Sequence, residues 1–192
     1  CPWQTTVRST GATSATSPPY FDPAARAERS SAWSGASRWR TPKGCSRTPE
    51  LRSAARESVG ADVTGVVADV TSYASVEALA DAAYAAHGAV HVLCNNAGVG
   101  PPGGLVWETT PNDWAWTFGV NVFGVAHGIQ AFVPRMIAGG EEGVVVNTSS
   151  PDGPIAPLPQ ASVYASTKCA VTCLTECLAA QLESEGTKLR AA

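Results

Sequence analysis

Charge is scarce in this sequence. Asp, Glu, Lys and Arg make up 15% of the 192 residues, against about 25% in an average soluble domain. With a formal net charge of −3, the chain as a whole is no polyanion binder by bulk electrostatics. Long apolar runs are missing too, and none approaches the roughly 20 residues that a bilayer requires. No basic start followed by an apolar stretch opens the chain, so no secretory leader is expected. Six cysteines are too few for a disulfide scaffold. His87, His91 and His127 stand apart and form no ligand motif. A cytoplasmic protein with no metal, nucleic-acid or membrane partner is expected. An apolar share of 44% argues against wholesale disorder, and the length suits one domain or a piece of a larger one.

The composition changes near residue 58. Residues 1–57 have only two branched aliphatics, Val7 and Leu51, and hold nine basic residues against four acids. Residues 58–192 carry four bases and twelve acids. The first segment also holds six prolines and three tryptophans without periodic aliphatic support. Such a segment does not easily offset its own ordering entropy. Residues 1–57 are therefore expected to be an aberrant or poorly ordered arm, and residues 58–192 a partial folded domain.

That second segment alternates between short apolar runs and helical patterns. Val63–Ala68 is an apolar run ended by Asp69, and 73–87 recurs with helical period and stops at Gly88. Val90–Cys94 is the next run, ended by Asn95, and Gly98–Gly104 is loop. A long periodic stretch over 111–138 has Pro111 in its first turn and Thr109 or Thr110 as its cap. Gly143–Asn147 reads as a third strand, 151–160 as a Pro-rich loop, and 162–185 as a last helix. The order predicts an α/β fold of three layers, with parallel strands and crossover helices. Valine runs without strict alternation suit a sheet covered on both faces. The polar strand ends Asp69, Asn95 and Asn147 fall where open α/β sheets bind ligands.

Two short stretches narrow this reading. Asn95-Asn96-Ala97-Gly98 follows a strand, and Tyr164-Ala165-Ser166-Thr167-Lys168 opens the last helix, with Ser149-Ser150 upstream and Asn121 between. Over about residues 58–190 this combination resembles the classical short-chain dehydrogenase/reductase family. The resemblance implies an incomplete Rossmann-like fold and hydride transfer between NAD or NADP and a small-molecule alcohol or ketone, usually in a homo-oligomer.

The chemistry suits the residue types. A secondary alcohol needs a base at its hydroxyl as hydride leaves, and a ketone needs an acid at its oxygen. A phenol ionises near pH 10, and a cation one helical turn away favours its phenolate. Tyr164 and Lys168 are at i,i+4 and share a helix face. The resemblance implies Tyr164 as acid and base, with Lys168 tuning it and holding the nicotinamide ribose. Ser150 matches the substrate-orienting serine, fourteen residues before Tyr164 and one more than is common in the family; Ser149 is the neighbouring candidate. Asn121 matches the helical Asn of a water-linked proton path. Asn95, Ala97 and Gly98 match the segment beside the cofactor, with Asn95 expected to tie strands together. Asp69-Val70 matches the pair at the adenine ring, although a strand end also favours Asp as a loop-start residue.

Two departures bear on activity. The family's TGxxxGxG turn, which brings backbone N–H groups to pyrophosphate, has no counterpart: Thr10-Gly11 is followed by Ala15 and Ser17 where later glycines belong. Few aliphatics and scattered Arg and Trp over 12–49 read like translation in a wrong frame. The chain also stops at Arg190-Ala191-Ala192, where a further strand is expected to begin.

Other features have plain readings. Cys169, Cys173 and Cys177 lie on one helix face and are expected to be small buried thiols at a helix seam. Trp107, Trp114 and Trp116 either line an apolar pocket or pack the start of the long helix. The leading function is an NAD(P)-dependent oxidoreductase for a secondary alcohol or ketone. The alternative is a catalytically inactive Rossmann-like fragment that acts at most in subunit or partner binding.

Overall fold

A computed structural model describes residues 64–101 and 103–192. The expectations for residues 1–57, and for Val63, lie outside the described residues. Val66–Ala192 is described below as one unit.

Helix α1 spans Tyr73–His87. Ser72 caps its start by accepting from the Ser75 N–H at 3.4 Å, and Gly88, at φ 78°, ends it. Strand β1, Val92–Asn95, follows. A single 3-10 turn at Val106–Glu108 precedes helix α2, Pro111–Phe118. Thr110 caps α2 in a reciprocal box with Asp113, and Pro111 occupies the first turn, where its missing N–H costs nothing.

The long helical stretch read from the sequence is not continuous. Between α2 and helix α3, Gly124–Gly139, lies a π turn, Gly119–Phe123. The sequence FGVNVFG places a glycine at each end of the wider turn, where bulk does not resist the change of register. Strand β2, Gly143–Asn147, helix α4, Ser162–Ser184, and strand β3, Leu189–Ala191, complete the unit. β3 begins where a further strand was expected, and it pairs with β2 in parallel.

The sheet is parallel in the order β1-β2-β3. Leu93 is in register with Val145 and Asn95 with Asn147, and Val144 with Arg190. Alternation assigns the faces. Leu93, Val145 and Asn147 are buried, whereas Val92, Cys94 and Val146 are exposed. Val76 and Ala80 of α1, Phe132, Val133 and Met136 of α3, and Leu178 and Leu182 of α4 join Leu93, Val145 and Leu189 in one core. Among the described residues the helices thus cover one sheet face, and the GVVVN run read as covered on both sides is covered on one.

The run read as a strand over 63–68 is irregular from Thr64 to Ala68. Val66 and Val67 are exposed. A strand must exchange its N–H and C=O groups with a neighbour, and Val66, Val67 and Ala68 belong to no strand of the sheet formed by the described residues.

α3 can cross close to β1 because Gly128 has no side chain. A Cβ there would run into the Asn95 Oδ1 and lie 3.0 Å from its Cγ. Asn95 cannot easily yield, since its amide donates to the Asn147 Oδ1 at 2.8 Å and so ties β1 to β2. Gly128→Ala should therefore lower stability by about 1–3 kcal/mol, the usual cost of overpacking. Gly139→Ala, where nothing lies within 4 Å of the added carbon, should be neutral or slightly stabilising. Urea midpoints of the two variants check this, and equal midpoints would show that the Asn95 contact imposes no constraint.

Candidate active site

The site is built where the β1 and β2 ends meet the first turns of α4. Tyr164 and Lys168 both lie in α4, and the Lys168 Nζ stands 5.5 Å from the centroid of the Tyr164 ring. Lys168 is only 5% exposed. Its ammonium donates to the Thr148 carbonyl at 2.6 Å, and its other N–H bonds have no protein acceptor among the described residues. Burial lowers its pKa from 10.5, because water no longer solvates the charge.

Asn121 sits in the π turn and is 1% exposed. Its Oδ1 accepts from the Val99 N–H at 2.8 Å. Its Nδ2 donates to the Val99 carbonyl at 2.8 Å and to the Thr167 Oγ1 at 2.9 Å. The side chain thus holds the loop after β1 against α4. No direct bond links Asn121 to Lys168. Instead Gly98 lies between them: a Cβ at Gly98 would be 3.6 Å from the Asn121 Oδ1 and 3.8 Å from the Lys168 Nζ. A Cβ at Gly100 would lie 3.5 Å from the Tyr164 ring.

The two serines differ in their commitments. Ser149 is bound into α4, donating to the Lys168 carbonyl at 3.2 Å and sharing a hydrogen with Thr172 at 2.7 Å. Ser150 accepts from the Asp152 N–H at 3.1 Å, which leaves its own hydroxyl hydrogen uncommitted. The loop after it lies flat on α4 through Gly153, at φ 133°, where a Cβ would be 2.5 Å from the Ala165 carbonyl.

The remaining candidates gather on the other side of the β1 end. Val70, Asn95, Asn96, Ala97 and Gly124 line a cleft of about 120 Å3, with apolar Leu93 and Phe132 at its base. Neither Tyr164 nor Lys168 reaches this cleft. Asp69 is exposed and its Oδ1 accepts from the Thr71 N–H and hydroxyl at 2.9 and 2.7 Å, which accords with its reading as a loop-start residue. The neighbouring Val70 carbonyl accepts from the His127 Nδ1 at 2.8 Å.

Sequence reading missed Thr167, Val99 and Gly100. Thr167 is fully buried, takes the Asn121 amide hydrogen and donates to the Tyr164 carbonyl at 2.7 Å. Its place three residues after Tyr164 carried no signal beyond an ordinary helical threonine. One other reading needs correction. The thiols of Cys169, Cys173 and Cys177 are exposed, not buried, because that strip of α4 faces away from the core. Of the tryptophans, Trp107 is 77% exposed, whereas Trp114 stacks on Phe118 and donates to the Thr109 Oγ1 at 2.9 Å, packing the start of α2.

Comparison with known proteins identifies the arrangement. A family model described as short chain dehydrogenase matches residues 41–191. The chain belongs to the short-chain dehydrogenase family. The match begins upstream of residue 58, where the resemblance was read to start. A 1-deoxy-11-beta-hydroxypentalenate dehydrogenase of Streptomyces avermitilis is 40% identical over 132 residues, 68% of this chain and 48% of that protein. A short-chain dehydrogenase/reductase from Burkholderia phymatum, solved with NAD, aligns at a TM-score of 0.71 with 46% identity, over 76% of this chain and 50% of the other. A metagenomic short-chain oxidoreductase, solved with NADP, aligns at 0.68 with 30% identity, over 76% and 65%. The chain spans about half the length of the Streptomyces dehydrogenases that it matches. No helix of the described residues is long and apolar enough to cross a membrane.

The lowered pKa of Lys168 sets a sign for stability. The unfolded chain holds this proton more tightly than the folded one. Between the lowered value and 10.5, unfolding free energy therefore rises with pH; below that window the penalty for burying the ammonium is present in full. Lys168→Met removes the group. In paired urea titrations the parent chain should gain stability relative to the variant as pH climbs toward 10.5. A difference that stays flat or reverses contradicts the buried ammonium.

Proposed function

We propose that this chain carries the catalytic part of an NAD(P)-dependent oxidoreductase that interconverts a secondary alcohol and a ketone. The observation that carries the reading is the buried Lys168 ammonium beside the Tyr164 ring. Tyr164 has a hydroxyl with no hydrogen-bond partner among the described residues, so it is free to meet a substrate oxygen. In the reductive direction it donates its proton to the carbonyl, and in oxidation it takes the proton back. The Lys168 charge stabilises the negative oxygen that Tyr164 carries in between. Ser150, with its uncommitted hydroxyl, is the donor that orients the substrate oxygen; the commitment of Ser149 to α4 supports this choice. Asn121 holds the Val99 loop, and its Oδ1 faces the same glycine as the Lys168 Nζ. A water beside Gly98 would join these groups and return protons to Tyr164.

The residues described fit a nicotinamide nucleotide. Gly98 and Gly100 leave open the space that side chains would fill beside Lys168 and Tyr164, and Lys168 retains N–H donors for a ribose. Asp69, Val70, Asn95 and Ala97 would hold the adenine end, with Val70, Asn95 and Ala97 already lining one cleft. When bound, the nicotinamide accepts or returns the hydride. Either NAD or NADP meets this chemistry, since relatives were solved with each. The sequence lacks the glycines of a pyrophosphate turn, with Ala15 and Ser17 in their positions, and this favours the second reading of an inactive fragment that at most binds a partner subunit. A homo-oligomer in the cytoplasm is the proposed state of the active form.

Fluorescence titration with NADH and with NADPH separates the two readings. Saturable binding at micromolar concentration supports the enzyme, and no binding of either supports the fragment. Where binding is seen, Tyr164→Phe should leave it nearly unchanged while lowering turnover at least a hundredfold, the scale of general acid catalysis. Lys168→Ala should weaken both. Near-normal turnover in Tyr164→Phe would remove the phenol from the mechanism.

A further inference from the structure

Two loops flank Tyr164. The loop after β1 passes Gly100, where a Cβ would lie 3.5 Å from the Tyr164 ring, and the loop after β2 leads straight into the first turn of α4. The two are joined: the Gly104 N–H donates to the Gln160 carbonyl at 2.9 Å. Both satisfy their own backbone groups. The N–H groups of Ile155 and Ala156 donate to the Pro151 carbonyl at 3.3 and 3.0 Å, and that of Leu158 donates to the Asp152 Oδ1 at 2.8 Å. The 3-10 turn at Val106–Glu108 is closed by the Thr109 hydroxyl on the Val106 carbonyl at 2.7 Å. Yet these closed turns present apolar side chains to solvent. Ile155 is 80% exposed and Leu158 59%, and Leu105, Val106 and Trp107 are exposed as well. Single exposed apolar residues are ordinary, but a group of them on joined loops marks a binding surface. By sequence, residues 99–106 and 153–159 contain no charged or hydrogen-bonding side chain. The charges that adjoin them, Glu108 and Asp152, are both negative, and Asp152 is committed to Leu158.

We propose that these loops select an uncharged secondary alcohol or ketone with a large hydrocarbon skeleton, held by Trp107, Ile155 and Leu158 while its oxygen meets Tyr164. The inference rests on the oxidoreductase reading above and names the substrate class of that site. A site that recognises a polyol or a carboxylate must offer polar groups to each oxygen, and it loses affinity for whatever leaves them unpaired. Here the backbone donors named above are already bonded within the loops, and the side chains between them are apolar. A carboxylate would also meet Glu108 and Asp152 as like charges. A hydrocarbon skeleton gains by removing apolar surface from water on both sides of the contact. The apolar wall with one polar end, at Tyr164 and Ser150, is the usual division of labour in a small-molecule site.

Equilibrium dialysis of the whole chain against 2-decalone, a neutral bicyclic ketone, tests the proposal without any nucleotide. Saturable binding is expected, with decalin-2-carboxylate and 2-aminodecalin, which carry a charge on the same skeleton, each held at least about tenfold more weakly, and xylitol not held. This comparison needs no variant. Trp107→Ala, Ile155→Ser and Leu158→Ser should each lower the affinity for 2-decalone on the order of tenfold, the scale of one large apolar contact. Val92→Ser, which alters an exposed apolar residue of β1, should leave it unchanged. All four positions are exposed, and far-UV circular dichroism verifies that the fold is kept. No binding of 2-decalone, equal or tighter binding of either charged analogue or of xylitol, or equal loss in Val92→Ser would overturn the proposal. The oxidoreductase reading fails separately, on the nucleotide titration and the turnover of Tyr164→Phe.

Discussion

The amide of Asn121 hydrogen-bonds to both backbone groups of Val99, and the rest of the site depends on that pair of hydrogen bonds. A loop that leaves a strand carries polar backbone groups that must find partners once water is excluded. Val99 is buried, so its N–H and C=O would otherwise be unsatisfied, each at a cost of about 1–3 kcal/mol. Asn121 supplies a donor and an acceptor at matched spacing, 2.8 Å in both directions. Its second amide hydrogen goes to Thr167, directly before Lys168 in α4. One side chain therefore connects the β1 loop, the π turn and α4, and places Gly98 between its own oxygen and the Lys168 ammonium.

The π turn is part of the same arrangement. A regular helix from 111 to 139 would present a continuous face. Widening it by one residue at Gly119–Phe123 shifts the register between the segments on either side. Thr117 and Asn121 face inward before and within the turn, and Val125, Gly128 and Phe132 do so after it. Such turns often occur at functional sites, and here the local irregularity carries a buried polar side chain that an unbroken amphipathic helix would not direct at a loop. Gly128 then lets α3 come close enough to touch Asn95, whose amide in turn fixes Asn147. The Asn147 amide donates to the Thr175 of α4 at 2.9 Å. The side-chain amides of Asn95 and Asn147 thus tie the sheet to the helix that bears Tyr164 and Lys168.

Much of this was legible in the sequence, and the reasons differ by element. α1 was readable because a helical apolar period ends at Gly88, a strong local stop signal. β2 was readable because GVVVN is short, apolar and bounded by glycine and Asn. Once the resemblance had singled out Tyr164 and Lys168, their i,i+4 spacing gave the shared helix face. The break at Gly119–Phe123 was not readable, since an apolar period of 3.6 passes through a π turn with little change in composition. The 63–68 run has strand-like residues but depends on a neighbour, which no local pattern reports. The cysteine strip was misjudged because burial preference is an average over proteins, whereas the exposure of Cys169, Cys173 and Cys177 follows from which side of α4 meets the sheet. Thr167 went unnoticed because its partner is 46 residues away.

The Asn121–Val99 link has a direct observable in the exchange of the Val99 amide hydrogen with solvent. Native-state hydrogen exchange should show that proton protected almost as strongly as those of β2, since it opens only when the loop leaves Asn121. In Asn121→Ala the same proton should exchange much faster while the β2 amides stay protected. Rapid exchange of the Val99 amide in the parent chain would contradict the account, because it would mean that the loop is not held by Asn121 and that Gly98, Lys168 and Tyr164 lack a common anchor.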